Sequence, residues 1–334
     1  MIDHTIIRAP NHLGDLIMAL PALDAAGDAD VMLPQGLAPL LALSSSRVRA
    51  LPFERGSRGY TRAVRALRRG RYSRGVLLPP SFSSAMLFAM GGVRERRGAD
   101  THQRQLLLTD VVPREELTQF HRRAQYYVLV TGSPSPNALV PRLVVTDALR
   151  ARFRALLPEP GARRLTGVFP GSNAPSRRWP PNRFRDLVAR LAADGSQVVV
   201  FGGATELALS REAAAGGGID LGGRTDLPLL AAGLAACELV VSNDSGPLHL
   251  AAAVGTRTVS LWGAGDPAIT GPPPGPHRVV RHPELYCVPC VKNVCPRHGR
   301  GAFLPNAHNE CMHLITVDEV HVAAAELLNQ SVPA

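Results

Sequence analysis

Lysine is almost missing from this chain. One of its 334 residues is lysine, Lys292, although Lys and Arg together number 37 against 27 Asp and Glu. The formal charge of +10 is therefore carried by guanidinium groups. Aromatics make up 5% of the chain, with two Trp, and they do not interleave with the basic residues. That pattern argues against a nucleic-acid-binding module, so no nucleic acid is expected as a partner. No apolar run is long enough to span a bilayer. The opening Met-Ile-Asp-His-Thr-Ile-Ile has no basic segment, apolar core or small-residue cleavage site, which predicts a cytoplasmic protein without a signal peptide. Five cysteines are present, and in a reducing compartment structural disulfides are not expected. There is no G-x4-G-K-[ST] P-loop, and no strand leads into G-x-G-x-x-G, which weakens a nicotinamide reading. No D-x-D motif stands at a suitable strand end, so a reaction without metal or cofactor is favoured.

The arginines are not spread evenly. They cluster at Arg55, Arg58, Arg62, Arg65, Arg68, Arg69, Arg71 and Arg74, and again at Arg94, Arg96 and Arg97. Such a run is either a solvated helix face or a docking surface for polyanions. The chain is too long for one comfortable core, so two domains are expected. Strand-like and helix-like pieces alternate through both halves. Thr5–Ala9, Asp30–Leu33, Arg49–Leu51, Gly75–Leu78, Val93–Arg97, Leu165–Phe169, Gln197–Phe201, Ile219–Leu221, Leu239–Val241 and Thr258–Trp262 read as strands, with helical periods between them. This βαβ grammar predicts an α/β chain of two doubly wound, Rossmann-like domains facing a central cleft. Breakers at 132–137 and 158–161 offer boundaries, and residues 1–157 and 162–334 are taken as the two domains. A C-terminal helix over 317–329 is left open to packing back on the first.

Four strand-to-helix turns carry chemistry. The first holds Asn11, His12, Gly14 and Asp15. Asp15 either caps the helix or acts as a general base. The second, Pro170-Gly171-Ser172 followed by Arg177-Arg178-Trp179-Pro180, offers backbone N–H groups and guanidinium groups to a diphosphate. The third, Gly202-Gly203-Ala204-Thr205-Glu206, places a carboxylate just past a strand. That carboxylate suits either a ribose or the helix dipole. The fourth is Ser242-Asn243-Asp244-Ser245-Gly246-Pro247-Leu248-His249, where Pro247 opens a helix whose free N–H groups suit a phosphate. Separately, Cys287-x2-Cys290-x4-Cys295-x15-Cys311, with His298, His308 and His313 nearby, begins with zinc-ligand spacing. The rest forms no second C-x2-C, so no metal is expected and these four stay weak candidates.

In this order and spacing the blocks resemble the ADP-heptose:lipopolysaccharide heptosyltransferases of glycosyltransferase family 9. The matching blocks are Gly14-Asp15…Pro21, Pro170 to Pro180, Gly202 to Glu206 and Ser242 to His249. The cysteine segment from Cys287 to Met312 is similar to the heptosyltransferase II branch. The resemblance implies a GT-B fold, an acceptor-binding N-terminal domain with Asn11, His12 and Gly14, and a nucleotide-sugar-binding C-terminal domain. It implies an inverting transfer of heptose from ADP-heptose to the lipopolysaccharide inner core at the inner membrane surface. Asp15 is then the general base, and Arg177, where the family usually has lysine, meets the diphosphate. The donor also meets Gly171, Ser172, Arg178, Ser245, Gly246 and His249. Glu206 (or Thr205) contacts the nucleoside and Asp244 holds sugar hydroxyls.

Overall fold

The computed structural model describes residues 4–134, 139–158, 164–296 and 309–330. The chain divides into two compact units, Met1–Val144 and Val145–Ala334.

The first unit is built on a six-stranded, all-parallel sheet. Its strands are β1 (Thr5–Arg8), β2 (Asp30–Pro34), β3 (Arg49–Phe53), β4 (Arg74–Leu77), β5 (Glu95–Ala99) and β6 (Asp110–Val112), in the order β3-β2-β1-β4-β5-β6. Helices α1 (Leu13–Ala25), α2 (Ser57–Gly70), α3 (Phe82–Met90), α4 (Arg114–Thr118) and α5 (Arg122–Thr131) connect or follow them. Helix α2 shows how composition sets packing. Gly59, Ala63, Val64 and Leu67 recur at helical spacing and are buried, while Arg58, Arg62, Arg65, Arg68 and Arg69 stay in solvent. The core under it joins Ile6, Met32, Leu67, Leu77, Phe88 and Val93.

The second unit repeats the plan. Strands β7 (Leu165–Phe169), β8 (Gln197–Val200), β9 (Ile219–Asp220), β10 (Leu239–Asn243), β11 (Arg257–Trp262) and β12 (His277–Arg281) are parallel, in the order β12-β11-β10-β7-β8-β9. Helices α6 (Asp147–Arg154), α7 (Pro181–Ala193), α8 (Leu207–Ala214), α9 (Leu227–Ala236), α10 (Gly246–Ala253), α11 (Pro267–Thr270), α12 (Glu310–Leu314) and α13 (Val317–Asn329) surround them. The inner strands β7, β8 and β10 are apolar and buried almost throughout, as strands covered on both faces must be. Trp179 and Phe184 meet edge to face, with ring centroids 4.9 Å apart, inside a core cluster that joins β7, β8, β10 and β11 to α7 and α13.

One boundary differs from the sequence expectation. Helix α6 belongs with the second unit rather than closing the first. It packs on α9, and its Phe153 is fully buried, 6.1 Å from the Phe201 ring. The division therefore falls at Val144/Val145 rather than after residue 157. Helix α13 packs on α7, β11 and β12 of its own unit, with Val320, Ala324 and Leu327 in that core. Its start is fixed by a capping box between Thr316 and Glu319.

Both sheets reverse strand order at one place, between β1 and β4 in the first unit and between β7 and β10 in the second. The crevice beyond the carboxyl ends at such a switch point is where doubly wound sheets bind ligands. Three of the four sequence motifs follow β1, β7 or β10, so the topology puts them at the two switch points. The fourth follows β8, next to β7.

Candidate active site

In the first unit, β1 ends at Arg8 and α1 starts at Leu13, leaving Asn11 and His12 in the turn. His12 is at the N-cap position but makes no side-chain cap bond. Asp15 lies in the first turn of α1, half-buried. Its Oδ1 accepts a hydrogen bond of 2.9 Å from Tyr126 Oη, on α5. Burial, then the Asp15 charge, pushes the Tyr126 phenol well above its ordinary pKa, so it stays a donor. Asp15 is thus not the N-cap residue of α1, and its carboxylate is held by the Tyr126 hydroxyl. Sequence reasoning missed Tyr126 because the two residues meet only through the packing of α1 on α5.

Two buried arginines shape the switch point, a role not read from the surface-charge pattern. Arg8 donates to the Asn11 side chain and to Met32 O (3.2 Å), and its guanidinium lies 4.4 Å from the Phe53 ring centroid. Arg104, fully buried, donates through Nε to Ala99 O at 2.9 Å and through Nη1 to Pro79 O at 2.5 Å, just past β4. Burial lowers both guanidinium groups to about 10. Arg8 thus sets Asn11, and Arg104 sets the turn after β4.

In the second unit the turn after β7 and the turn after β10 are tied together by Asn243. Its Nδ2 donates to Pro170 O at 2.8 Å, and its Oδ1 accepts from the Trp179 backbone N–H at 3.0 Å. Asn243 therefore joins two motifs. Arg177 Nη1 pairs with Asp244 Oδ2 at 2.9 Å. Asp244 is buried and Arg177 is a quarter exposed. Arg178 Nε donates to Ser172 O at 2.7 Å, and Ser172 Oγ reaches Asp244 O at 3.4 Å. The sequence-predicted Gly171, Ser172, Arg177, Arg178 and Asp244 are thus one connected group.

Helix α10 begins at Gly246 with Ser245 as N-cap, and no side chain caps it. Its first N–H groups and dipole point into the turn beside Arg177, a suitable arrangement for an anion. Ser245 Oγ sits 3.2 Å from Ser242 Oγ. His249 is buried within α10. The Glu206 carboxylate accepts from Gly203 N–H at 3.0 Å and lies over Gly171, where a Cβ would stand 2.0 Å from Glu206 Oε1. Gly171 is therefore required by close approach, and Glu206 shares its turn. Thr205 is exposed.

All five cysteines are free. Cys237 is buried under β7 and β10, and burial raises its thiol. Cys287, Cys290, Cys295 and Cys311 line one pocket with Ser176, Ala264 and Asn309. Burial pushes the Cys311 thiol up to about 11, and the other three thiols add to the shift. His298 and His308 lie outside the described residues. His313, in α12, is close to Asn309 O through Nδ1 (3.0 Å).

Two doubly wound parallel units, with these turns at their switch points, define a glycosyltransferase of the GT-B class. The chain belongs to glycosyltransferase family 9 (heptosyltransferase), whose profile matches residues 60–299. It is 29% identical over 303 residues to lipopolysaccharide heptosyltransferase 2 of Escherichia coli K12, covering 83% of this chain and 87% of that protein. It is also 29% identical over 299 residues to lipooligosaccharide heptosyltransferase 2 of Haemophilus influenzae, covering 80% and 85%. Among solved structures, ADP-heptose lipopolysaccharide heptosyltransferase II of E. coli superposes with a TM-score of 0.78 at 27% identity, over 97% of this chain and 98% of that one. A family 9 glycosyltransferase from Veillonella parvula shares the fold, with a TM-score of 0.80 at 20% identity over 99% and 98%.

Proposed function

We propose that this glycosyltransferase moves a heptose from ADP-heptose to a hydroxyl of the lipopolysaccharide inner core, with inversion at the anomeric carbon. The heptose and the acceptor are inferred from relatives named heptosyltransferase 2, aligned over most of both chains. The observation that carries the chemistry is Arg177 beside the uncapped start of α10, a cationic site for a leaving diphosphate.

In this reading the acceptor oxygen attacks the anomeric carbon as the bond to the diphosphate oxygen breaks. Asp15 takes the hydroxyl proton, and Tyr126 holds the carboxylate in place. Arg177 and the 245–247 helix start take up the charge that develops on ADP. A single displacement of this kind inverts the carbon, through a transition state with oxocarbenium character. Asn11, His12 and Gly14 would face the acceptor, and Glu206 the nucleoside. Among the described residues no helix is long and apolar enough to cross a membrane. The exposed arginines of α2 would hold the enzyme against anionic headgroups, where a lipid-linked acceptor resides.

The test is a donor screen by product mass spectrometry, with ADP-heptose beside other nucleotide sugars and a truncated lipopolysaccharide acceptor. Heptose addition is expected from ADP-heptose alone. Asp15→Ala should lose roughly 10²–10⁴-fold in kcat while ADP affinity is kept, since only the base is removed. Transfer of a different sugar, or full turnover by Asp15→Ala, would overturn the reading.

A further inference from the structure

The cysteine segment is the one motif that the proposed reaction leaves unused. Four of the five cysteines of the chain gather at one pocket, three from one loop and the fourth from beyond residues 296–310. Cys287, Cys290 and Cys295 come from the loop after β12, and Cys311 from the first turn of α12. All four are half-buried and free. Among the described residues no three His, Cys, Asp or Glu side chains are already arranged to hold an ion. What exists is a pocket wall with four thiols on it.

That loop is also the backing of the Arg177 turn. Val291 N–H donates to Ala264 O at 2.7 Å, which ties the loop to the turn after β11. Lys292 O accepts from Ser176 Oγ at 2.5 Å, and Asn293 O accepts from Ser176 N–H at 3.1 Å. Asn309 Nδ2 donates to Pro175 O at 2.7 Å, from the start of α12. Cys311 Sγ packs so closely on Gly263 that a Cβ there would lie 2.6 Å from it. The residue preceding Arg177 is thus held by backbone carbonyls between Cys290 and Cys295.

We propose that Cys287, Cys290, Cys295 and Cys311 form a tetrathiolate site for one thiophilic divalent ion, zinc or ferrous iron, which pins the 285–295 loop and α12 behind the Arg177 turn. Four cysteines complete a tetrahedral sphere with no position left open, so the ion is structural and does not meet substrate. The Cys-x2-Cys spacing supplies the first half of the sphere, and Cys295 and Cys311 the second. Each thiol gives up its proton on binding, so four protons leave as four metal–sulfur bonds form. No redox change is required.

The experiment uses the full chain. Protein purified without chelator is expected to carry about one zinc or iron per chain by elemental analysis, which also tells the two apart. Its four site thiols should resist a thiol reagent until a chelator is added. Cobalt added to the metal-free protein should give a thiolate-to-cobalt charge-transfer band with tetrahedral visible bands. Cys295→Ser and Cys311→Ser should each lose the ion at least tenfold more readily, whereas Cys237→Ala should keep it. Should the serine variants fail to fold, the cobalt spectrum of the unaltered chain still decides. Less than about a tenth of an ion per chain with all thiols reactive, a disulfide within the cluster instead of metal, or full retention in both serine variants would overturn the site. A further consequence rests on the proposed donor role of Arg177: metal removal should weaken ADP binding about tenfold. Metal content and spectrum do not depend on that role, so the two readings fail separately.

Discussion

Arg177 Nη1 lies 2.9 Å from Asp244 Oδ2, so the cation proposed to meet a diphosphate already holds a buried anion. An incoming phosphate must share Arg177 with Asp244 or draw it away. The two partners should therefore respond in opposite directions. Asp244→Asn removes the competing charge, and ADP alone should bind as tightly or several-fold tighter while sugar transfer falls. Arg177→Ala removes a charge-assisted hydrogen bond worth roughly 1.5–3 kcal/mol and leaves Asp244 buried without its cation, so ADP should bind about 10–100-fold more weakly. Arg177→Lys keeps the charge but loses the fork and should fall between them. Calorimetric titration with ADP reads all three, and a loss of affinity in Asp244→Asn would refute the competition.

Gly171 and Glu206 make a second coupled pair. A methyl at Gly171 would stand 2.0 Å from Glu206 Oε1, the movable end of a side chain. Gly171→Ala should leave the fold intact and displace the Glu206 carboxylate, which also frees Gly203 N–H. Nucleotide affinity is expected to fall about tenfold, near 1.4 kcal/mol. In Glu206→Ala the same glycine substitution should cost much less, because nothing remains to be displaced. Equal losses in the two backgrounds would mean that Gly171 acts alone.

The sequence pattern exposed the inner strands, the turns at their ends and the edge strands β3 and β9, and left the edges β6 and β12 hidden. Strand β6 is three residues, Asp110-Val-Val112, mostly in solvent, and β12 has only two apolar residues, set between basic ones as His277-Arg-Val-Val-Arg281. Both are edge strands with one neighbour and a wet side, so neither carries the apolar run that marked β7 or β10. The candidate site divides the same way. Asp15, Arg177 and Asp244 were legible because turn residues after a strand point to the switch point. Tyr126, Asn243 and the buried Arg8 and Arg104 were not. Their roles arise from contacts across the fold, and a Tyr in a helix or an Arg in an arginine-rich chain has no local signature.

The acid sensitivity of the first unit should trace to Asp30. Burial alone would raise this carboxyl. The hydrogen bonds from Arg49 and Tyr72, with the charges of Arg49 and His4, outweigh burial and hold it below the ordinary value. Arg49 Nε and Nη2 donate to it at 2.8 and 2.7 Å. A carboxyl that is more acidic when folded gives stability that is complete above its unfolded value, about 3.9. That stability is lost as pH falls through the folded value. Thermal unfolding between pH 7 and pH 3 should show an acid decline that is shallower in Asp30→Asn, which starts less stable at pH 7. Parallel curves would remove Asp30 as the cause.

Helix α6 gives the sharpest test of how the chain is divided. Phe153 fills a slot in which a Cβ on Gly233 would come within 2.6 Å of its ring, and it is closed to solvent. Phe153→Ala empties that slot and should cost about 3–5 kcal/mol. If α6 belongs to the second unit, the loss is local to it. Hydrogen exchange read by mass spectrometry should rise in α9, β7 and β8, while β1, β2 and β4 keep their protection. The physical reason is that a cavity loosens the layer that lines it, and that layer is Gly233 on α9 and Phe201 past β8. Loosening confined to residues before 145, with α9 unchanged, would return the helix to the first unit and move the boundary back to the breaker-rich stretch after it.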